Sequence, residues 1–385
     1  MSLGAFLAGL ALWAAQDDLN SDDAALRREA YQRLEALAGE ERAKGVDGFS
    51  KLQEKRHREF EREWKRLHDT FLDCGQRGEQ GTMEVLKEWL AARDSAVEII
   101  FDEKRYPVPP GARASGPMQG WDLVRPRLDA AKKAFEPILP QAKEGASAAL
   151  RGSWTRGLEK LKQLAALVRE GDEALRRLRP EWRPLAIESF DFLEAMAHIG
   201  RQEFKEAIGL YEKGKLSPAQ RILFFLVYAA IIENYNHNKI RTRMNGSDKQ
   251  AVTAINEYRM ALGVLPYEHD PLLTDAIKGH IADIASGRTE YGHLSTVSGK
   301  RTPQDRARLA GWKWGAGENL ASMGAMESVE AWFWDGGHGR NNVSPHDDKV
   351  GFATGGGVSG LSNGGGGPLV LPRFKPPFSY GGWSR

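Results

Sequence analysis

Side chains that can bind a metal ion or carry protons recur in short motifs between Asn256 and His338. Imidazole nitrogens and carboxylate oxygens are ligands of Zn²⁺ in proteins, and both groups also serve as general acids or bases. Each motif alone has little specificity, whereas their order and gaps together are specific. In chain order the motifs are Asn256-Glu257-Tyr258-Arg259, Tyr291-Gly292-His293-Leu294-Ser295, Gly317-Glu318-Asn319-Leu320-Ala321, Val329-Glu330-Ala331-Trp332 and Gly337-His338.

This ordered series resembles the CAP superfamily, also called the SCP domain (cysteine-rich secretory proteins, antigen 5 and plant pathogenesis-related 1 proteins). It is most similar to the cysteine-free bacterial members of that family. The resemblance covers roughly residues 251–353, about a quarter of the chain. It implies an α-β-α sandwich in which two histidines and two acidic residues converge on a cleft.

The resemblance assigns that cleft tetrad to four residues of this sequence. His293 matches the first histidine, Glu318 the glutamate of Gly-Glu-Asn, and His338 the second histidine. Asp335 falls at the second acidic position, where some bacterial relatives have serine. Such an N/O set suits Zn²⁺ or another divalent cation, bound by the two histidines with the two carboxylates, and the carboxylates would also orient the rings. His280, which lies on a predicted helix, does not match the tetrad and is interpreted as structural.

The resemblance implies a binding protein more than an enzyme, because the family has no single agreed reaction. Its members are variously linked to lipids, cell-wall material or protein partners, and we expect a ligand of one of these kinds. No catalytic residue is assigned, because no motif places a nucleophile beside the tetrad. One alternative is a hydrolase of peptide or cell-wall material, in which the histidine/acid set or its metal activates water. Another is a helical envelope scaffold or oligomerisation protein.

Helices are predicted to dominate the chain before the motifs, so that the expected class is α+β. Residues 20–245 are predicted to form a helical domain of unknown function, followed by the CAP/SCP domain at 246–354. The apolar run at 222–232 follows Ser217-Pro218, a helix start signal, and is too short to span a bilayer. One seam has apolar steps of 4, 3, 4 and 3 residues, typical of coiled-coil packing, and consists of Trp154, Leu158, Leu161, Ala165 and Val168.

The two ends of the sequence have distinct compositions. Residues 1–16 contain an uncharged apolar run followed by polar residues, which fits a signal peptide and predicts export to the periplasm, cell surface or medium. Residues 355–385 are rich in glycine and proline and are predicted to form a flexible tail. Within the tail, only residues 368–371 have the pattern of a strand. The last strand predicted before the tail is Lys349–Ala353.

Composition argues against nucleic-acid binding and excludes cysteine-based cross-links. The 54 basic and 52 acidic side chains give a net charge of +2, which argues against a dedicated nucleic-acid-binding protein. The single cysteine, Cys74, excludes an intrachain disulfide and a cysteine-based zinc site. A zinc site in this chain is therefore expected to be built from histidine and carboxylate side chains.

Overall fold

The computed structural model describes residues 78–101, 121–152, 154–155, 158–159, 191–213 and 216–380. The predicted signal peptide (1–16), the predicted helices before residue 78 and most of the predicted 154–168 seam lie outside the described residues. The chain divides into two compact units, one comprising residues 1–86 with 144–224 and the other residues 87–143 with 225–385. Residues 87–143 and 225–245, which the sequence assigns to the helical domain, therefore belong to the same unit as the motifs.

The described residues form helices and one small mixed sheet, which confirms a mixed α and β class. The helices are α1 (Gly78–Ile100), α2 (Trp121–Phe135), α3 (Leu139–Leu150), α4 (Asp191–Gly200), α5 (Phe204–Glu212), α6 (Pro218–Asn238), α7 (Gly246–Ala261), α8 (Pro271–Ala285), α9 (Pro303–Leu309), α10 (Ala325–Trp334) and α11 (Gly336–Val343). The strands are β1 (Glu268–His269), β2 (Gly317–Ala321), β3 (Lys349–Gly355) and β4 (Val358–Gly364).

Local capping signals set where several helices begin. The Asn245 side chain accepts a hydrogen bond from the backbone N–H of Asp248 at 2.8 Å and so caps the start of α7. α6 begins at Pro218, as predicted, and residues 222–232 are buried. Among the described helices, none combines the length and apolar character needed to cross a bilayer.

The sheet is built around the β3–β4 hairpin. Its strand order is β1-β3-β4-β2, with β1 parallel to β3 and the other pairs antiparallel. Because successive residues of a strand point to opposite faces, β3 contributes to two clusters. Ala353 packs with Val358 and with Ile277 of α8 on one face. Phe352 lies on the other face, with its ring centroid 5.7 Å from that of Trp332 in α10.

Residues 355–364 of the glycine-rich segment supply the end of β3 and the whole of β4, and the candidate strand at 368–371 is not formed. The connection between β3 and β4 is the pair Gly356-Gly357, which has φ angles of +56° and +77°. Two successive positive φ values are what the tightest hairpin turns require, so these glycines form a turn instead of a flexible linker. The strand that follows, β4, occupies a central position. Residues 368–371 carry no strand, but Leu371 is only 1% exposed.

Gly351 of β3 is predicted to be intolerant of any side chain. A methyl group there would overlap the backbone of Leu273 and Thr274 in α8. We therefore expect Gly351→Ala to lower the free energy of unfolding by about 1–3 kcal/mol, the usual cost of overpacking. Gly279→Ala is the matched control, because a methyl at Gly279 of α8 meets nothing within 4 Å. Urea denaturation should show the control unchanged or slightly stabilised, and equal stability of the two variants would contradict the prediction.

Candidate functional site

The imidazole rings of His293 and His338 lie close together. Their centroids are 5.8 Å apart and their planes are inclined at 47°. His293 lies in the loop between α8 and α9, whereas His338 lies in the first turn of α11. The His293 side chain is 40% exposed and that of His338 is 14% exposed. Solvent therefore reaches His293, whereas His338 is largely buried.

Glu318 orients the ring of His293. Its Oε1 lies 3.1 Å from His293 Nδ1, and its side chain is 2% exposed. β2 fixes this position, since Glu318 pairs with Ser362 of β4. An ionised carboxylate only accepts hydrogen bonds, so this contact favours the tautomer of a neutral His293 ring in which Nδ1 carries the proton and Nε2 the lone pair.

Arg306 completes the environment of Glu318. Its guanidinium donates to Glu318 Oε2 at 2.6 Å, and both side chains are only 2% exposed. A second hydrogen bond reaches the carbonyl of His293 at 3.0 Å. Arg306 therefore compensates the buried charge of Glu318 and fixes the loop that carries His293.

Asp335 has the corresponding position beside His338. Its Oδ2 lies 3.5 Å from His338 Nδ1, and its Oδ1 accepts from the backbone N–H groups of Gly337 and His338 at 2.8 and 3.1 Å. Burial alone would raise the pKa of Asp335, but these hydrogen bonds and the His338 imidazole outweigh it and lower the pKa. The carboxylate thus caps α11 and faces the ring at once.

The structure brings the four predicted residues together as two histidine–carboxylate pairs. Both Nδ1 atoms face a carboxylate, and His338 Nε2 is buried without a hydrogen-bond partner in the described part of the chain. The described residues contain no group of three or more His, Cys, Asp or Glu side chains assembled around a metal position. A cation here would therefore be bound by the two imidazoles, with Glu318 and Asp335 acting as orienting groups.

His280 also contacts the site, which the sequence did not indicate. It is fully buried on α8, donates through Nε2 to the carbonyl of Gly292 at 2.8 Å, and lies 4.0 Å from Glu318 Oε1. Burial lowers the pKa of His280, although the charge of Glu318 opposes that effect. Its hydrogen bond holds the backbone next to His293, so the structural role remains the simplest interpretation.

Three exposed apolar side chains flank two of the site residues in sequence. Tyr291 and Leu294, beside His293, are 52% and 63% exposed, and Trp334, beside Asp335, is 58% exposed. Trp332, two residues before Trp334, is in contrast only 1% exposed. No family model, curated protein or solved structure matches this chain.

Proposed function

We propose that the chain from Gly246 onward forms a CAP/SCP-type domain in which His293 and His338 bind a ligand or partner. The observation that carries this proposal is the pairing of the two rings 5.8 Å apart, each with Nδ1 beside a carboxylate. The helices on both faces of the sheet are compatible with a CAP-type sandwich. The expected setting is an exported protein, and the expected ligands are a lipid, cell-wall material or a protein.

The engagement of both carboxylates favours binding over turnover. Glu318 is held by Arg306 and faces His293, and Asp335 caps α11. A general base needs a lone pair within reach of the proton that it abstracts. With their oxygens bonded inside the protein, these carboxylates are better placed to fix the imidazoles than to activate water.

The two imidazoles fit a divalent cation such as Zn²⁺. His338 Nε2 is a buried atom without a hydrogen-bond partner among the described residues, and imidazole nitrogen is a preferred zinc ligand. The cation would supply a positively charged contact for an oxygen atom of the ligand. Because only two protein ligands are present where structural sites have four, the affinity is expected to be low.

We expect His293→Ala combined with His338→Ala to abolish zinc binding at the cleft. Calorimetric titration of the full chain with Zn²⁺ measures this directly. Asp335→Asn should weaken the same binding event by about 10–100-fold, the usual effect of losing an orienting partner. His198→Ala is the control, because His198 pairs with Glu203 on a different unit.

Two results would contradict parts of the proposal. If every zinc-binding event survives in the double variant, the cleft is not a metal site. If the wild type turns over peptide or cell-wall substrates and the double variant does not, the domain is a hydrolase and the binding interpretation is wrong.

A further inference from the structure

A second group of histidine and carboxylate side chains lies on elements that do not carry the cleft residues. Glu233 and His237 are four residues apart on α6, so that they share one face of the helix. His269 is the last residue of β1. The ring centroids of His237 and His269 are 6.2 Å apart, with their planes inclined at 78°.

Two members of this group have buried polar atoms without hydrogen-bond partners among the described residues. His269 is 1% exposed, and neither of its ring nitrogens has a partner. Glu233 is 5% exposed; its Oε1 accepts from Asn236 and Asn256, whereas its Oε2 has no hydrogen bond. Buried polar groups are nearly always satisfied in native proteins, so unsatisfied atoms concentrated at one place indicate a missing partner.

The spacing of the pair on α6 is close to that of two ligands of one metal ion. His237 Nε2 lies 3.7 Å from Glu233 Oε2. With zinc bonds of about 2.0–2.2 Å and a tetrahedral angle, two ligand atoms lie about 3.4 Å apart. The His237 side chain is 40% exposed, which gives the cation a route from solvent.

We propose that Glu233, His237 and His269 form a second site, which binds a zinc-class divalent cation. The cation accepts the lone pairs of His269 and of Glu233 Oε2, and the carboxylate compensates part of its charge. Two imidazoles and one carboxylate are a ligand set that zinc enzymes use. Asn236 and Asn256 act as outer partners, because they hold the other oxygen of Glu233 and both donate to the carbonyl of Tyr267.

Binding requires one rearrangement. His237 Nε2 is bonded to Thr253 Oγ1 at 3.0 Å, and the three side chains are not yet gathered around one point among the described residues. Rotation of the half-exposed His237 ring exchanges the Thr253 hydroxyl for the cation. Lys249 opposes binding, since its positive charge also acts on His269.

The test uses the full chain carrying His293→Ala and His338→Ala, which removes the proposed cleft site. Calorimetry with Zn²⁺ should show one remaining binding event. His237→Ala and Glu233→Gln, each added to this background, should weaken that event at least tenfold, and Lys249→Ala should strengthen it. His198→Ala is the matched histidine control and should leave it unchanged.

The outcomes separate this site from the proposed cleft. No zinc binding in the double-variant background would overturn the second site, as would binding that both His237→Ala and Glu233→Gln leave unchanged. If His293→Ala and His338→Ala change nothing whereas His237→Ala removes binding, the cleft proposal fails and the second site stands. Because the His237 side chain is 40% exposed, His237→Ala tests the site without replacing the buried His269.

Discussion

Replacement of Arg306 by methionine is expected to lower the free energy of unfolding by about 3–5 kcal/mol, the cost of leaving one charge of a buried ion pair without its partner. Glu318 and Arg306 are each 2% exposed and lie 2.6 Å apart. The variant also loses the hydrogen bonds from Arg306 to the carbonyls of Lys300 and His293. Urea denaturation followed by tryptophan fluorescence measures the change.

Two comparisons isolate the contribution of the buried charge. Adding Glu318→Gln to Arg306→Met removes the uncompensated carboxylate, so the double variant should recover much of the lost stability. Arg125→Met is the matched control: Arg125 is also buried, but its partners Asp129 and Glu330 are 47% and 57% exposed. Pairs with exposed members contribute only about 0–1 kcal/mol, so an equal loss in both arginine variants would contradict this account.

Acidification from pH 7.5 to 4.5 is expected to destabilise the wild type by about 2–3 kcal/mol more than the His269→Gln variant. Burial lowers the pKa of His269 to about 4, whereas an unfolded histidine has a pKa of about 6.5. The unfolded chain therefore takes up a proton first as the pH falls. The contribution of neutral His269 to the free energy of unfolding is therefore fully present above about pH 6.5. It is lost between pH 6.5 and 4, at about 1.4 kcal/mol per pH unit.

Three groups near His269 also act on its pKa. Glu233 raises the pKa of His269, whereas His237 and Lys249 lower it together with the larger effect of burial. Denaturant unfolding in the presence of a chelator at each pH gives the comparison without bound metal. His198→Gln should retain the wild-type pH dependence. Parallel stability curves for the wild type and His269→Gln would rule out a buried neutral His269.

Helix starts were predictable from the sequence because capping is local. Asn245 and Asp248 are three residues apart, and the hydrogen bond between them defines the beginning of α7. β4 was not predictable in the same way. Its residues, Val358–Gly364, contain two glycines and follow three more, a composition that is also typical of linkers. Only long-range pairing with β2 and β3 makes this segment a strand.

The candidate site likewise contains residues that local motifs predicted and residues that only the fold brings into place. His293 and His338 could be proposed because each belongs to a motif with a fixed place in the order. The role of Arg306 was not predicted, because its contact with Glu318 depends on the fold and on the register of β2 on β4. The sequence also did not indicate the second group, because Glu233 and His269 are brought together by packing between distant parts of the sequence.

The strand order has a consequence for how the sheet is made during protein synthesis. Within the described part of the chain, β1 pairs only with β3 and β2 only with β4, so the two strands synthesised first gain these pairing partners when residues 349–364 have left the ribosome. Glu318 lies on β2 and His269 on β1, the two strands that are synthesised first. The sheet positions of Glu318 and His269 are therefore fixed by a hairpin that is translated after them.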